Sequence, residues 1–516
     1  MKQLCRVVLL VALLCSLSLS SNAVVSTPSI FGDHMVLQQK QKLPVWGKAD
    51  PGEAVTVTLH KQSKSTVADA EGLWQVELSR MKQGGPYALT IAGPDNTLQF
   101  EDVLIGEVWI GSGQSNMQWA VKDSNDAENE IAQADYPNIR LFSVKRAASP
   151  EIQFDCEGSW SICSPESLPE FSAVLYYFGR ELYQRLNQRP VGLIHTSWGG
   201  TPAESWTSRT TLENDPELAH IVQNWDQILE DYPAAKEAYD QSVVEWEEAV
   251  KKAEADGTDK PKKPNAPRGP EHPWLAAGLY NAMIAPLIPY AIKGAIWYQG
   301  ESNADRAYQY RNLFPTMITN WREDWGQGNF PFYFVQLANF TEVRPEPDES
   351  DWAELREAQT MTLDLKKTGM AVIIDIGEAK DIHPRNKQDV GKRLALNALA
   401  KDYRQQVVWS GPMYRSMRIW KDKAILSFNH INGGLTTSDG EAPKGFAIAG
   451  ADKKFVWADA VIKGNKVIVS SPEVAEPVAV RYAWAHNPIC NLINGKLLPA
   501  SPFRTDDWPG LTVDKK

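Results

Sequence analysis

Val108-Trp-Ile-Gly-Ser-Gly-Gln-Ser115-Asn-Met117 joins a short apolar run to a glycine-rich turn. A strand that ends in such a turn exposes the next small polar side chain at the carboxyl edge of a sheet. Open α/β sheets place their active sites there. Ser115 is that side chain, and Gly111 and Gly113 let the backbone bend and a substrate come close. Three further polar clusters follow strand-like runs. Ser197-Trp-Gly-Gly200-Thr201 follows Val191-Gly-Leu-Ile194. Trp297-Tyr-Gln299-Gly-Glu301-Ser-Asn303 follows Gly294-Ala-Ile296, and Asp381-Ile-His383-Pro384 follows Gly369-Met-Ala-Val-Ile-Ile-Asp375. A lone Gly-x-Ser is weak evidence, but four such loops fit one site assembled along one sheet edge.

A serine hydroxyl becomes a useful nucleophile when a histidine takes its proton and a third group orients that histidine. Ser115 is therefore the candidate nucleophile, His383 the base and Asp381 the orienting acid. Ester cleavage builds charge on the carbonyl oxygen, which needs fixed donors. The backbone amides of Ser115 and Gly200 are candidates.

These motifs, with Phe31-Gly-Asp-His-Met-Val-Leu-Gln38 near the start, resemble the sialate O-acetylesterase family, a branch of the SGNH (GDSL-like) hydrolases. The resemblance spans roughly residues 27–505. It implies a flavodoxin-like parallel sheet flanked by β-domains. It also implies removal of O-acetyl groups from sugars, often sialic acids, though bacterial relatives act on plant polysaccharides such as xylan or xyloglucan. It further points to Gln299 as a third oxyanion donor, with Asn303 as a rival. Many SGNH hydrolases space Asp and His three positions apart. Here Asp381 and His383 are two apart, which resembles the sialate esterase pattern but leaves Glu301 as an alternative acid. Asp375 and Glu378 read as loop-fixing carboxylates.

With 516 residues the chain exceeds one core. The N-terminus, Lys2 and Arg6 before Val7-Val-Leu-Leu-Val-Ala-Leu-Leu14 and small residues ending at Ala23, has the layout of a cleaved export signal over 1–23. Cys15 raises a lipoprotein alternative, disfavoured because Leu14 precedes it. No other run reaches the roughly 18 apolar residues of a membrane span. Residues 24–105 alternate in strand fashion, as in Val55-Thr-Val-Thr-Leu59 and Leu73-Trp-Gln-Val-Glu-Leu78. Residues 106–404 alternate short strands with helices, which implies a parallel sheet. Residues 209–270 form an insertion read as a helical hairpin that starts at Asp215-Pro216 and splits at Tyr232-Pro233. From 405 to 516 β-character returns, with a Gly464-Asn465 hairpin turn.

The balance of 53 basic and 64 acidic residues, net −11, argues against a nucleic-acid partner. No histidine or cysteine spacing suggests a metal, and no cofactor is implied. Export would favour a Cys156–Cys163 disulfide, with three free buried cysteines as the alternative. Among the 19 tryptophans, Trp119, Trp198, Trp206 and Trp297 adjoin the motifs and are candidates to line a sugar pocket. Arg356 and Arg385 are candidates to meet a sialic-acid carboxylate, since arginine offers a bidentate fork. A purely carbohydrate-binding protein has no use for a nucleophile with its base. A lipase-like esterase would want an apolar surface where these loops are rich in amides, hydroxyls and tryptophan. None of these features fixes the oligomeric state.

Overall fold

In the computed structural model, described for residues 24–516, the central sheet is built from β1 (Thr97–Gly113), β2 (Tyr136–Ser143), β3 (Trp160–Cys163), β4 (Val191–Ser197), β5 (Gly294–Tyr298), β6 (Phe332–Gln336) and β7 (Thr368–Val372). Their order across the sheet is β7-β6-β5-β1-β4-β2-β3. All neighbours pair in parallel except β2 and β3. Without β2 and β3, the order is the doubly wound 2-1-3-4-5, flavodoxin-like arrangement that the family resemblance implied. Its strand order reverses beside β1, and Ser115 follows directly on β1. Strands β5, β6 and β7 are buried along their whole length, which explains their continuous apolar runs. The sequence reading missed β2 and β3. Strand β2 begins Tyr136-Pro137 and contains Arg140, and proline inside a run speaks against a central strand. Pro137 precedes the pairing with β4, which begins at Ile139, and falls where the pairing with β3 shifts register between Tyr136 and Arg140, which reconciles the two.

Helices α1 (Ser115–Gln118), α2 (Ala173–Arg185), α3 (Ala219–Asp256), α4 (Ala307–Trp325), α5 (Asp351–Met361) and α6 (Lys387–Lys401) connect or flank these strands. Ser172 caps α2 through Leu175 N, and Val174, Tyr177, Phe178 and Leu182 form its buried stripe. Helices α2 and α6 meet closely at Gly391, where a methyl group would lie 2.6 Å from Tyr177 Cβ.

The 209–270 hairpin is corrected. A short helix, Arg209–Asn214, ends at Asp215, and α3 then runs unbroken through Pro233 to Asp256. Pro233 is solvent-exposed, and the helix carries it without folding back. Helix α3 buries only Ile221, Val222, Trp225 and Ala253. The proline-rich tail returns along it, with Trp246 Nε1 donating to Pro261 O at 2.8 Å.

On the N-terminal side, Ala54–Leu59, Gln62–Val67 and Gly84–Ala92 form antiparallel pairs that continue onto β1. Thus β1 serves both sheets, and one continuous apolar core runs from Val25 to Leu399. The C-terminal β-region has its own core around Leu426, Val467, Tyr482 and Phe503. Its Asp459–Lys463 and Lys466–Ser470 hairpin turns at Gly464, which has φ +59°. The cysteine pairing expected from the sequence does not form. Cys156, Cys163 and Cys490 are all free thiols. Cys163 ends β3 facing the core, Cys156 is buried in the preceding loop, and burial pushes both thiols up to about 12. The export-signal region lies outside the described residues. Among those described, no helix is long and apolar enough to cross a membrane.

Candidate active site

The carboxyl ends of β1, β4 and β5 lie side by side, with Gly113 in register with both Ser197 and Tyr298. Gly113 has φ +138°, and a side chain there would meet Tyr298 O at 2.1 Å. Only glycine lets β1 turn so tightly against β5. Gln114 is buried and stitches this turn to the next loop, its Oε1 accepting from Gly300 N and Ser302 N at 3.3 Å each. Ser115 then opens α1 half-buried at the edge of a cleft of about 730 Å³.

His383 arrives from the loop after β7. Its Nε2 lies 2.9 Å from Ser115 Oγ. Its Nδ1 lies 3.3 Å from Asp381 Oδ1, and the same oxygen accepts the His383 backbone N–H at 2.9 Å. Trp119 stacks on the imidazole, with ring centres 5.0 Å apart at 18°. Burial and the nearby Lys387 charge hold the imidazole below its ordinary range, partly offset by Asp381. It is therefore neutral, and able to accept a proton, over a wider pH span than a free histidine.

The remaining sequence candidates divide. Trp119, Trp198 and Gly199 line the cleft beside Ser115 and His383. Gly199 N is held by Gln118 Oε1 at 2.7 Å. Gly200 has φ +74°, and among the described residues neither its N–H nor that of Ser115 has an intramolecular acceptor. Glu301 does not reach His383. It accepts from Asn116 Nδ2 at 2.7 Å, which corrects its reading as an alternative acid. Gln299 and Asn303 are corrected as donors, because their amides are buried and already engaged. Gln299 Nε2 bonds Asn303 Oδ1 at 2.6 Å, and Asn303 Nδ2 bonds Glu204 Oε2 at 2.9 Å. Trp206 and Trp297 are core residues at 0 % exposure. Arg356 is also fully buried, donating to the carbonyls of Leu337, Ala338, Ala485 and His486. It ties the C-terminal region to the loop after β6, and this removes it as a substrate ligand. Arg385 is exposed and lies outside the cleft lining. Asp375 pairs bidentately with Arg393 and Glu378 accepts from Arg385 N, the loop-fixing roles their spacing suggested.

Arg146, which the sequence reading did not single out, faces the cleft from the loop after β2. It lies over the Trp198 ring at 5.9 Å. Lys122 and Lys145 on the same wall are paired with Glu170 and Glu157. Arg146 has no carboxylate partner among the described residues. None of the cleft's lining residues comes from 209–270. Among the described residues there is also no group of three or more His, Cys, Asp or Glu side chains arranged to hold a metal ion.

Comparison with known proteins identifies the family. Mouse sialate O-acetylesterase is 31% identical over 527 residues, covering 92% of this chain and 93% of its own. The chain belongs to the sialate O-acetylesterase family. The human sialate O-acetylesterase is 30% identical, with 93% of each chain covered. Residues 270–400 match the family described as carbohydrate esterase, sialic acid-specific acetylesterase. A solved carbohydrate acetylesterase of Xanthomonas citri superimposes with a TM-score of 0.80 at 38% identity, over 94% of this chain and all of that one. The chain is thus a carboxylic ester hydrolase that removes O-acetyl groups from carbohydrate.

Proposed function

We propose that Ser115, His383 and Asp381 carry out this deacetylation through an acetyl-enzyme, and that the substrate is an O-acetylated sialic acid met outside the cytoplasm. The observation that carries the mechanism is the 2.9 Å contact between Ser115 Oγ and His383 Nε2 at the point where the strand order reverses. Ser115 attacks the acetyl carbonyl while His383 takes its proton. His383 then returns that proton to the departing sugar oxygen, and water repeats the sequence on the acetyl-enzyme. The unoccupied Ser115 and Gly200 N–H groups are the donors for the oxyanion. Asp381 keeps the Nδ1 proton directed away from Ser115.

Arg146 favours an anionic sugar. An unpaired guanidinium over an indole in the cleft suits a carboxylate, through a bidentate fork and added cation–π anchoring. An acetylated xylan or xyloglucan would use the same catalytic groups and leave Arg146 without a partner. The apolar run over 7–14 and the small residues before Val24 support export. In this reading residues 106–404 carry the chemistry, and the β-regions at 24–105 and 405–516 support it. Ser115→Ala tests the mechanism. Acetate release from O-acetylated sialic acid should vanish while stability changes by less than about 1 kcal/mol, since this half-buried serine packs little. Retained turnover would remove Ser115 as nucleophile. A parallel panel of acetylated xylan and xyloglucan tests the substrate.

A further inference from the structure

Behind the Ser115 and His383 pair lies a buried polar relay that the mechanism above does not use. Asn116, the residue after Ser115, is 1 % exposed. Its Oδ1 accepts from Lys387 Nζ at 2.5 Å, and its Nδ2 donates to Glu301 Oε1 at 2.7 Å and to Ile382 O at 3.0 Å. Ile382 directly precedes His383. One amide therefore joins the serine turn, the histidine loop, the loop after β5 and the first residue of α6.

Lys387 is an improbable resident of this place. Its side chain is at 0 % exposure and stands at the N-terminus of α6, where the helix dipole disfavours a cation. Burial brings its ammonium down to about 7, against the pull of Glu301, Asp381 and Glu378. Glu301 is only partly buried as a residue, but its carboxylate is enclosed, Oε2 has no partner, and burial pushes its proton affinity up. Two buried charges joined only through an amide recover little of their desolvation cost, so stability does not account for them. The Lys387 ammonium lies over the rings of Trp119 and Tyr298 at 5.6 Å each, and Trp119 is the indole stacked on His383.

We propose that Lys387 is a positioning residue for His383: through Asn116 it holds the serine turn and the histidine loop in register, and in its protonated form it places a positive charge behind the imidazole. This rests on the reading of His383 as the base. The charged groups around the imidazole are Asp381 on its own loop and Lys387 on α6. Asp123, Lys122, Lys145, Arg146 and Glu170 stand around the rest of the cleft, while Glu301 and Glu378 face Lys387. A positive charge behind the ring favours its neutral form, so the base works further into the acid range than Asp381 alone would permit.

Lys387→Met and Lys387→Gln test the idea; the second keeps a polar group beside Asn116 and covers the case in which the first fails to fold. The His383 imidazole is titrated directly in histidine-labelled protein, assigned with His383→Asn, and kcat/KM is measured across the same pH range. Both variants should raise the imidazole midpoint and the acid limb of kcat/KM together by about one pH unit, the order expected of one internal charge. An unmoved midpoint in a folded variant overturns the proposal, even if turnover falls at every pH, because that pattern marks a packing role alone. A midpoint that moves while the acid limb stays supports Lys387 as the charge behind His383 and removes His383 as the base instead.

Discussion

Asp381 carries a charge whose catalytic worth follows from its geometry. Asp381→Asn keeps an oxygen able to accept both the His383 backbone N–H and its Nδ1–H, so the substitution removes charge and little else. At 3.3 Å, a unit pair is worth about 1 kcal/mol in bulk water and about 5 kcal/mol at an effective dielectric near 20. The Asp381 side chain is 38 % exposed, which places the interaction toward the screened end of that span. About 2 kcal/mol is then lost from the transition state, where the imidazolium forms, a fall of roughly 30-fold in kcat. That is well short of the roughly 10⁴-fold loss seen when such an aspartate is buried. The assay is acetate release from one O-acetylated sugar between mildly acid and mildly alkaline pH. The acid limb should also move to lower pH, because Asp381 raises the proton affinity of His383. Glu301→Gln, measured at alkaline pH, should stay within about threefold of wild type, since its glutamine can still accept from Asn116. A larger loss from Glu301→Gln than from Asp381→Asn would overturn the assignment of Asp381.

Arg146→Met should lower kcat/KM on O-acetylated sialic acid about tenfold or more, as for a lost charged hydrogen bond, and leave a neutral acetylated sugar nearly unchanged; equal losses on both would remove Arg146 as the carboxylate ligand. Arg356→Met should act on stability instead, by about 3 kcal/mol or more, because four carbonyls lose their donor; a normal thermal melt with weakened substrate binding would contradict its structural role. Activity should survive exhaustive chelation, since the nucleophile is a side chain, and a loss restored by a divalent ion would refute this. Cys156 and Cys163 should react with a thiol reagent only after unfolding, and a disulfide between them in non-reducing peptide maps would contradict the free buried thiols.

The sequence carried the parts of the site that follow strands. Ser115 and the Asp381-x-His383 loop were legible because an apolar run of buried parallel strand announces its own carboxyl end. Amide roles were not legible: Gln299 and Asn303 sit in the same loop grammar as a true donor, but their partners Glu204 and Thr201 lie about a hundred residues away. Arg356 looked like a free fork because α5 shows no exposed face in its pattern; the helix is buried around most of its circumference. Arg146 was lost with β2, since a loop is recognised as a strand end only when the strand before it is recognised. The Asn116 relay spans 271 residues to Lys387, and no local pattern marks a lysine as buried. Pro233 misled for the opposite reason, because a single proline does not by itself end a long helix: α3 runs on through it to Asp256.

Strand β1 begins in the N-terminal sheet and ends one residue before Gln114 and two before the nucleophile. The serine is therefore the tip of a cantilever whose root, on the far side of a bulge at Asp102, is clamped in the neighbouring β-region. A version trimmed to residues 106–404 would cut that beam in the middle. It would remove Leu104 and Ile105 together with their partners Val36 and Leu37, strip Gly106 of Gln38, and leave the shortened strand free to shift lengthwise. Gene fusions and truncations that treat the N-terminal β-region as a detachable accessory should accordingly lose turnover first, before the rest of the catalytic sheet comes apart.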